Sequence, residues 1–253
     1  MIKKILLIGG SGSLGSNIKS SKLFKNILSP SKRKLSLLNK KLIRKYLNQG
    51  FDCVINCAAL ARMRICEKNP NLAKKINIDG VLNLVNELKL YNKKHNKNVK
   101  LIHISTDGVY ASTKGNYSEQ SNLRPYNVYG WTKFFSEKIV KKYANYVIIR
   151  TRFFDKKKIK FDTAATDIYT SMMEVRELVK EIFFISTSPF KGIINIGSRK
   201  KSDYQNYVKY KKKIKRCKRK DIIKDLDFTI AKDASLNISK FKKLKKIWKK
   251  NYQ

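Results

Sequence analysis

A tyrosine and a lysine four residues apart stand on one face of a helix, where a phenol can hand over a proton while an ammonium holds nearby negative charge. The chain contains three such Tyr-x-x-x-Lys pairs, Tyr110/Lys114, Tyr129/Lys133 and Tyr207/Lys211. In a sequence rich in both residue types the pattern alone selects none of them. Context selects Tyr129 and Lys133. They follow an apolar run, Leu101 to Ser105, that ends in the polar Ser105-Thr106-Asp107, and they open an apolar helical stretch to about Tyr143. The chemistry that suits this pair is carbonyl reduction: a hydride goes to carbon, and Tyr129 would give the proton to oxygen. A free tyrosine near pKa 10 is poorly matched to neutral pH, and lowering it by about three units takes roughly 4 kcal/mol of preferential phenolate stabilisation, part of which Lys133 would supply. The competing reading is an ordinary helix with a half-buried tyrosine and a lysine stem laid over apolar surface.

A hydride source is indicated at the other end of the chain. Glycines at 9, 12 and 15 follow the apolar run Ile5 to Ile8 and open a helix, with Ser13 and Leu14 between the last two. There a dinucleotide pyrophosphate can sit against unpaired backbone N–H groups and the positive helix end. The G-x-x-G-x-x-G spacing resembles that of the extended branch of the short-chain dehydrogenase/reductase superfamily. In such sites an acid after the second strand binds the ribose hydroxyls of NAD and repels a 2′-phosphate. The segment Asn26 to Arg33 contains no acid, and Ser31, Lys32 and Arg33 could hold the extra phosphate. The expected cofactor is NADP(H) in preference to NAD(H), although a Lys-Arg pair is also ordinary surface in so basic a chain.

These residues need a scaffold. Apolar runs at Ile5 to Ile8, Cys53 to Asn56, Leu101 to Ser105, Tyr146 to Arg150 and Gly192 to Gly197 alternate with amphipathic stretches such as Leu72 to Tyr91 and Val175 to Phe184. Short buried strands alternating with helices predict an α/β fold, a Rossmann-like doubly wound parallel sheet. We expect a cofactor-binding domain over 1–154 and a short, basic substrate-binding portion over 155–253, with the strand at 192–197 returning to the main sheet. The pocket should lie at the carboxyl ends of the strands.

With 253 residues and 42% hydrophobic content the chain can bury a real core, which excludes a disulfide-stapled miniprotein and a disordered chain. Lys+Arg 58 against Asp+Glu 18 gives a formal charge of +40, and 16 of those net charges fall within Arg199 to Gln253. Of the cations 47 are Lys and 11 Arg. A surface evolved for phosphates would use more guanidinium forks, so the charge reads as solvated surface and not as a nucleic-acid face. No apolar run approaches the ~18 residues of a membrane span. Cys53, Cys57, Cys66 and Cys217 show no metal spacing and, with His95 and His103 as the only histidines, predict no metal site. A cytoplasmic protein with reduced, structural thiols is expected.

Fragments recur in a specific order: Asn56-Cys57-Ala58-Ala59, Glu67 and Pro70, Asn77-x-x-Gly80-x-x-Asn83-Leu84, Ser105-Thr106-Asp107-Gly108-Val109-Tyr110, Asn127-Val128-Tyr129-Gly130-Trp131-Thr132-Lys133, and Arg150-Thr151. Together they resemble the dTDP-4-dehydrorhamnose reductase family over residues 1 to about 154, and faintly beyond through Ala165-Thr166-Asp167 and Gly192 to Ser198. The resemblance implies NADPH-dependent reduction of a nucleotide-linked 4-keto-6-deoxy sugar in deoxysugar or surface polysaccharide precursor synthesis. It maps the family's catalytic residues onto Thr106, Tyr129 and Lys133, with Lys133 also on the nicotinamide ribose. It adds Cys57, Ala58 and Ala59 to the cofactor set. Substrate contacts are expected from Thr106, Asp107, Asn127, Phe153, Arg62 and Arg64, where the two arginines either meet the substrate pyrophosphate or are surface charge. Arg64 stands where the family usually has an acid, Ser36 or Asn39 replaces another acid, and Lys232-Asp233-Ala234-Ser235 replaces the usual Arg-Pro. The family also includes a regulatory subunit of methionine adenosyltransferase, so a non-catalytic NADP- and sugar-nucleotide-binding subunit is the alternative. A homodimer is left open.

Overall fold

The structure is a computed structural model that describes residues 4–224 and 226–252, the last four of these by backbone alone. Six parallel strands form the central sheet: β1 (Ile5–Ile8), β2 (Ile27–Leu28), β3 (Cys53–Asn56), β4 (Lys100–Thr106), β5 (Tyr146–Thr151) and β6 (Gly192–Asn195), in the order β2-β1-β3-β4-β5-β6. Alternate residues of each strand face opposite layers. Ile5, Leu7, Ile55, Ile102 and Ile149 pack on one face with Leu178 and Ile182 of a helix over Val175–Thr187. Leu6, Ile8, Val54, Leu101 and Ile148 pack on the other with Ile43, Leu84 and Leu88. Burial on both faces explains why the strands read as unbroken apolar runs.

Strand order reverses around β1. The chain leaves β1 through the glycine loop into α1 (Ser13–Lys19), and after β2 it crosses to lay β3 on the other side of β1. A crevice opens at the carboxyl ends of strands at such a reversal. The stretch expected as one helix over Leu72 to Tyr91 is broken. Helical turns at Pro70–Lys74 lead into a wide turn, Lys75–Asp79, before the helix Gly80–His95. The wide turn carries the buried Asn77, which donates to Leu60 O at 3.0 Å and accepts from Leu60 N–H at 2.7 Å. A polar side chain bound to backbone outside the helix explains the local departure from α geometry.

Past β5 the chain makes short pairings. Phe153–Phe154 lies beside Met173–Glu174, Thr163–Ala165 beside Lys215–Cys217, and Tyr169–Thr170 antiparallel to Lys201–Ser202. A satellite core of Ala164, Met172, Tyr207 and Ile214 holds them. The strand β6 pairs in parallel with β5, Gly192 opposite Val147, so the sheet is completed by a strand that comes from between the segments of this small portion. Among the described residues no helix is long and apolar enough to cross a membrane, and no cluster of candidate metal ligands occurs. All four cysteines are free.

Candidate active site

The cofactor loop begins at Gly9, whose φ of +86° favours glycine. A Cβ there would lie 2.6 Å from Ala58 N, so the absent side chain is what lets the loop touch the Cys57-Ala58-Ala59 segment after β3. Gly12 is the N-cap of α1, no side chain caps that end, and its first turn holds no acid. Two adjoining cavities share Gly12, Cys57 and Ala59. The larger, about 440 Å³, is lined by the start of α1 together with Thr106, Tyr129 and Phe153. The smaller, about 370 Å³, runs past Gly9, Lys32, Ser36 and Ala58. This bipartite crevice, bare backbone at its waist, fits a dinucleotide with its pyrophosphate at Gly12.

Tyr129 is set by close packing at the start of the helix Val128–Val140. Asn127 caps it by accepting from Gly130 N–H at 2.7 Å, and Glu67 accepts from Val128 N–H at 2.8 Å. Gly130 lets the helix approach the turn at Asp107–Val109, since a Cβ would crowd Pro125 Cβ at 3.1 Å and the Gly108 carbonyl. The helix is also tied to the sheet by a buried ionic cluster. Arg150 Nη2 lies 2.7 Å from Glu137 Oε2, Ser105 Oγ donates to Glu137 Oε1 at 2.5 Å, and Arg150 Nη1 donates to the Tyr110 hydroxyl at 2.8 Å. Tyr110 in turn donates to Asn195 Oδ1 at 3.0 Å. Four elements thus hold Thr106 and Tyr129 on one cavity wall.

Electrostatics depart from expectation. Burial, reinforced by Asp107 and Cys66 and opposed by Arg152, pushes the Tyr129 phenol upward, so it stands protonated. Lys133 does not border either cavity; it is buried, with Nζ 2.9 Å from His103 Nε2. Burial, opposed by Glu137 and Cys57, lowers Lys133 to about 8. The expected lowering of the Tyr129 pKa by Lys133 is therefore corrected for the ligand-free protein, because desolvation outweighs every nearby cation. Cys57, on both cavities, is pushed up to about 12 by burial against the opposing charge of Lys133 and is an inert thiol.

Of the other sequence-derived residues, Ser13, Leu14, Gly15 and Asn127 line the larger cavity. Ser31 and Arg33 border neither cavity, and Arg62 and Arg64 are exposed outside both. Asp107 is fully buried behind Thr106 and paired with Arg152, whose Nε is 2.7 Å from Asp107 Oδ2. Burial raises the Asp107 pKa and Arg152 opposes it. Arg152, Met63 and Tyr126 line the larger cavity without a sequence signal of their own. Arg152 and His103 could have been sought only from strand register.

The family description "RmlD substrate binding domain" matches residues 3–179. A dTDP-4-dehydrorhamnose reductase of Mycolicibacterium smegmatis is 28% identical over 144 residues, 55% of this chain and 42% of that protein. Methionine adenosyltransferase 2 subunit beta of Bos taurus is 34% identical over 87 residues, 34% of this chain and 24% of that protein. The matches thus span less than half the length of these curated relatives. In fold the chain is similar to the solved dTDP-4-dehydrorhamnose reductase of Bacillus anthracis in complex with NADP. The TM-score is 0.83 at 20% identity, over 96% of this chain and 93% of that one.

Proposed function

Because the chain belongs to the family of the RmlD substrate-binding domain, we propose that it is an NADPH-dependent reductase of a nucleotide-linked 4-keto-6-deoxy sugar. The observation that carries this reading is that Thr106 and Tyr129 share one cavity with the uncapped start of α1. Gly9, Gly12, Ala58, Ala59 and Lys32 would hold the dinucleotide, which supplies a hydride when bound. Thr106 Oγ1 accepts from Gly108 N–H at 3.1 Å and donates to Asp107 Oδ1 at 3.2 Å; turned from Asp107, the same hydroxyl would donate to a carbonyl oxygen in the cavity that Thr106 lines. Tyr129, protonated and half-buried, gives its proton to that oxygen. Phe153 closes the sugar end with an apolar face.

The likeness to methionine adenosyltransferase 2 subunit beta of Bos taurus favours a second reading for this chain, a regulatory subunit that binds the dinucleotide without turnover. NADPH oxidation measured against a panel of 4-keto-6-deoxy sugar nucleotides decides between them. Turnover of one member is the expected result. NADPH binding with no turnover across the panel would favour the regulatory reading.

A further inference from the structure

His103 has no part in that reaction, yet it is fully buried against Lys133. It lies on β4 opposite Asn56 of β3. Ala58 N–H donates to Asn56 Oδ1 at 3.0 Å, which fixes the amide so that Asn56 Nδ2 donates to His103 Nδ1 at 3.2 Å. Nδ1 therefore accepts, and the single proton of the neutral ring sits on Nε2. Burial holds His103 well below the ordinary histidine pKa, so the ring is neutral.

Nε2 faces two atoms, Ser136 Oγ at 3.1 Å and Lys133 Nζ at 2.9 Å. Ser136 gives its own hydrogen to Lys133 O at 2.8 Å and meets the ring with a lone pair. An ammonium has three donors and no lone pair. A charged Lys133 would set N–H against N–H, whereas a neutral amine accepts. The other groups acting on Lys133 do not offer it a free anion. Glu137, four residues on along the same helix, is bound by Arg150 and Ser105, and Cys57 is kept as a thiol.

Resting on the reductase reading, we propose that His103 is a positioning residue that holds Lys133 as an uncharged amine in the cofactor-free protein at mildly alkaline pH, and that cofactor binding recharges Lys133 with a proton from solvent. The amine becomes an ammonium, His103 keeps its Nε2 proton, and no other bond changes. Once Lys133 Nζ turns from His103 toward the cavity it does not border in this structure, ribose hydroxyl oxygens would supply the acceptors that His103 withholds. Cofactor binding then delivers positive charge to the site only when the nicotinamide is there to use it.

Two measurements test this. In cofactor-free protein labelled with ¹⁵N-histidine, NMR should show His103 neutral with its proton on Nε2; the exposed His95 gives the only other histidine signal. A proton on Nδ1 overturns the proposal, whether or not NADPH binds. Calorimetric NADPH titration at about pH 8.5, in buffers of different ionisation enthalpy, should report uptake of about three-quarters of a proton, as follows for a group at about 8 that becomes fully charged. His103→Gln places an amide oxygen that accepts from an ammonium near Nε2, so uptake should fall several-fold while NADPH still binds. Bound NADPH without proton uptake in the unmodified protein, or equal uptake in His103→Gln, overturns the proposal. Failure of NADPH to bind at all strikes the reductase reading instead, and the tautomer result then stands by itself.

Discussion

Arg152 Nε lies 2.7 Å from Asp107 Oδ2, so the carboxylate beside Thr106 is paired with an arginine that itself lines the cavity. The pair follows from register: Thr106 of β4 is opposite Thr151 of β5, which places the next residue of each strand side by side. Burial disfavours the charge on Arg152, but Asp107, Tyr126 and Asp203 outweigh it and hold the guanidinium above its ordinary pKa.

Arg152→Met should strand a buried carboxylate and cost about 3 kcal/mol, the lower end of the range for a broken buried pair because the arginine is 28% exposed. Adding Asp107→Asn should recover most of that loss. Urea unfolding of the two single variants and the double variant gives the coupling; additive losses would mean the pair contributes little.

Tyr129→Phe removes one oxygen and keeps the ring, so NADPH affinity should persist while reduction falls at least about a hundredfold, within the usual 10²- to 10⁴-fold range of general acid catalysis. Tyr207 packs 5.3 Å from the Phe154 ring, centroid to centroid, and borders neither cavity, so Tyr207→Phe should leave turnover nearly unchanged. Single-turnover hydride transfer separates these variants, and near-normal rates in Tyr129→Phe would defeat the assignment of the acid.

Tyr110→Phe should act on stability. Its hydroxyl joins Arg150 to Asn195 in the buried cluster, and leaving those groups unpaired costs about 1–3 kcal/mol. A lowered urea midpoint with unchanged NADPH affinity is expected; an unchanged midpoint would show that water replaces the hydroxyl.

Lys32 borders the smaller cavity and Arg33 does not. Lys32→Ala should therefore reduce the preference for NADPH over NADH by about fivefold to tenfold, as loss of one charge-assisted contact of roughly 1 kcal/mol implies. Arg33→Ala should leave the preference alone. Titration with both cofactors at physiological salt measures each ratio, and equal effects would point to general surface charge.

Lys100 makes stability depend on pH. Its Nζ donates to Ile185 O at 2.8 Å and Ser188 O at 2.5 Å, at the end of the helix Val175–Thr187, and burial lowers its pKa to about 8. Between about pH 8 and the ordinary lysine value of about 10.4 the unfolded chain binds more protons at this group, so its contribution to stability rises with pH across that window. The penalty for a buried ammonium is fully present below about pH 8. Unfolding midpoints across this range should rise less steeply in Lys100→Met; parallel slopes would assign the dependence to other groups.

Local sequence carried much of the outcome. The unbroken apolar runs specify parallel strands because both faces are covered, and the glycines at 9, 12 and 15 mark a turn that side chains would block. Tyr129 was selected from three equivalent pairs by what precedes it, and it lines the cavity. The residues that escaped notice do so for a common reason. Arg152 is one of 11 arginines in a chain of +40 formal charge and reads as surface, and His103 reads as one polar residue inside a strand. Their partners, Asp107 and Asn56, come from other places in the chain and are brought alongside by the β4/β5 and β3/β4 registers. Burial is likewise a property of the assembled layers, and it pushed the Tyr129 pKa up and the Lys133 pKa down, against what their helix spacing implied. Sequence determined which residues and turns were available, because those depend on neighbours a few positions away. Tertiary structure decided which charges met and how strongly they were desolvated, because both depend on groups tens of residues apart.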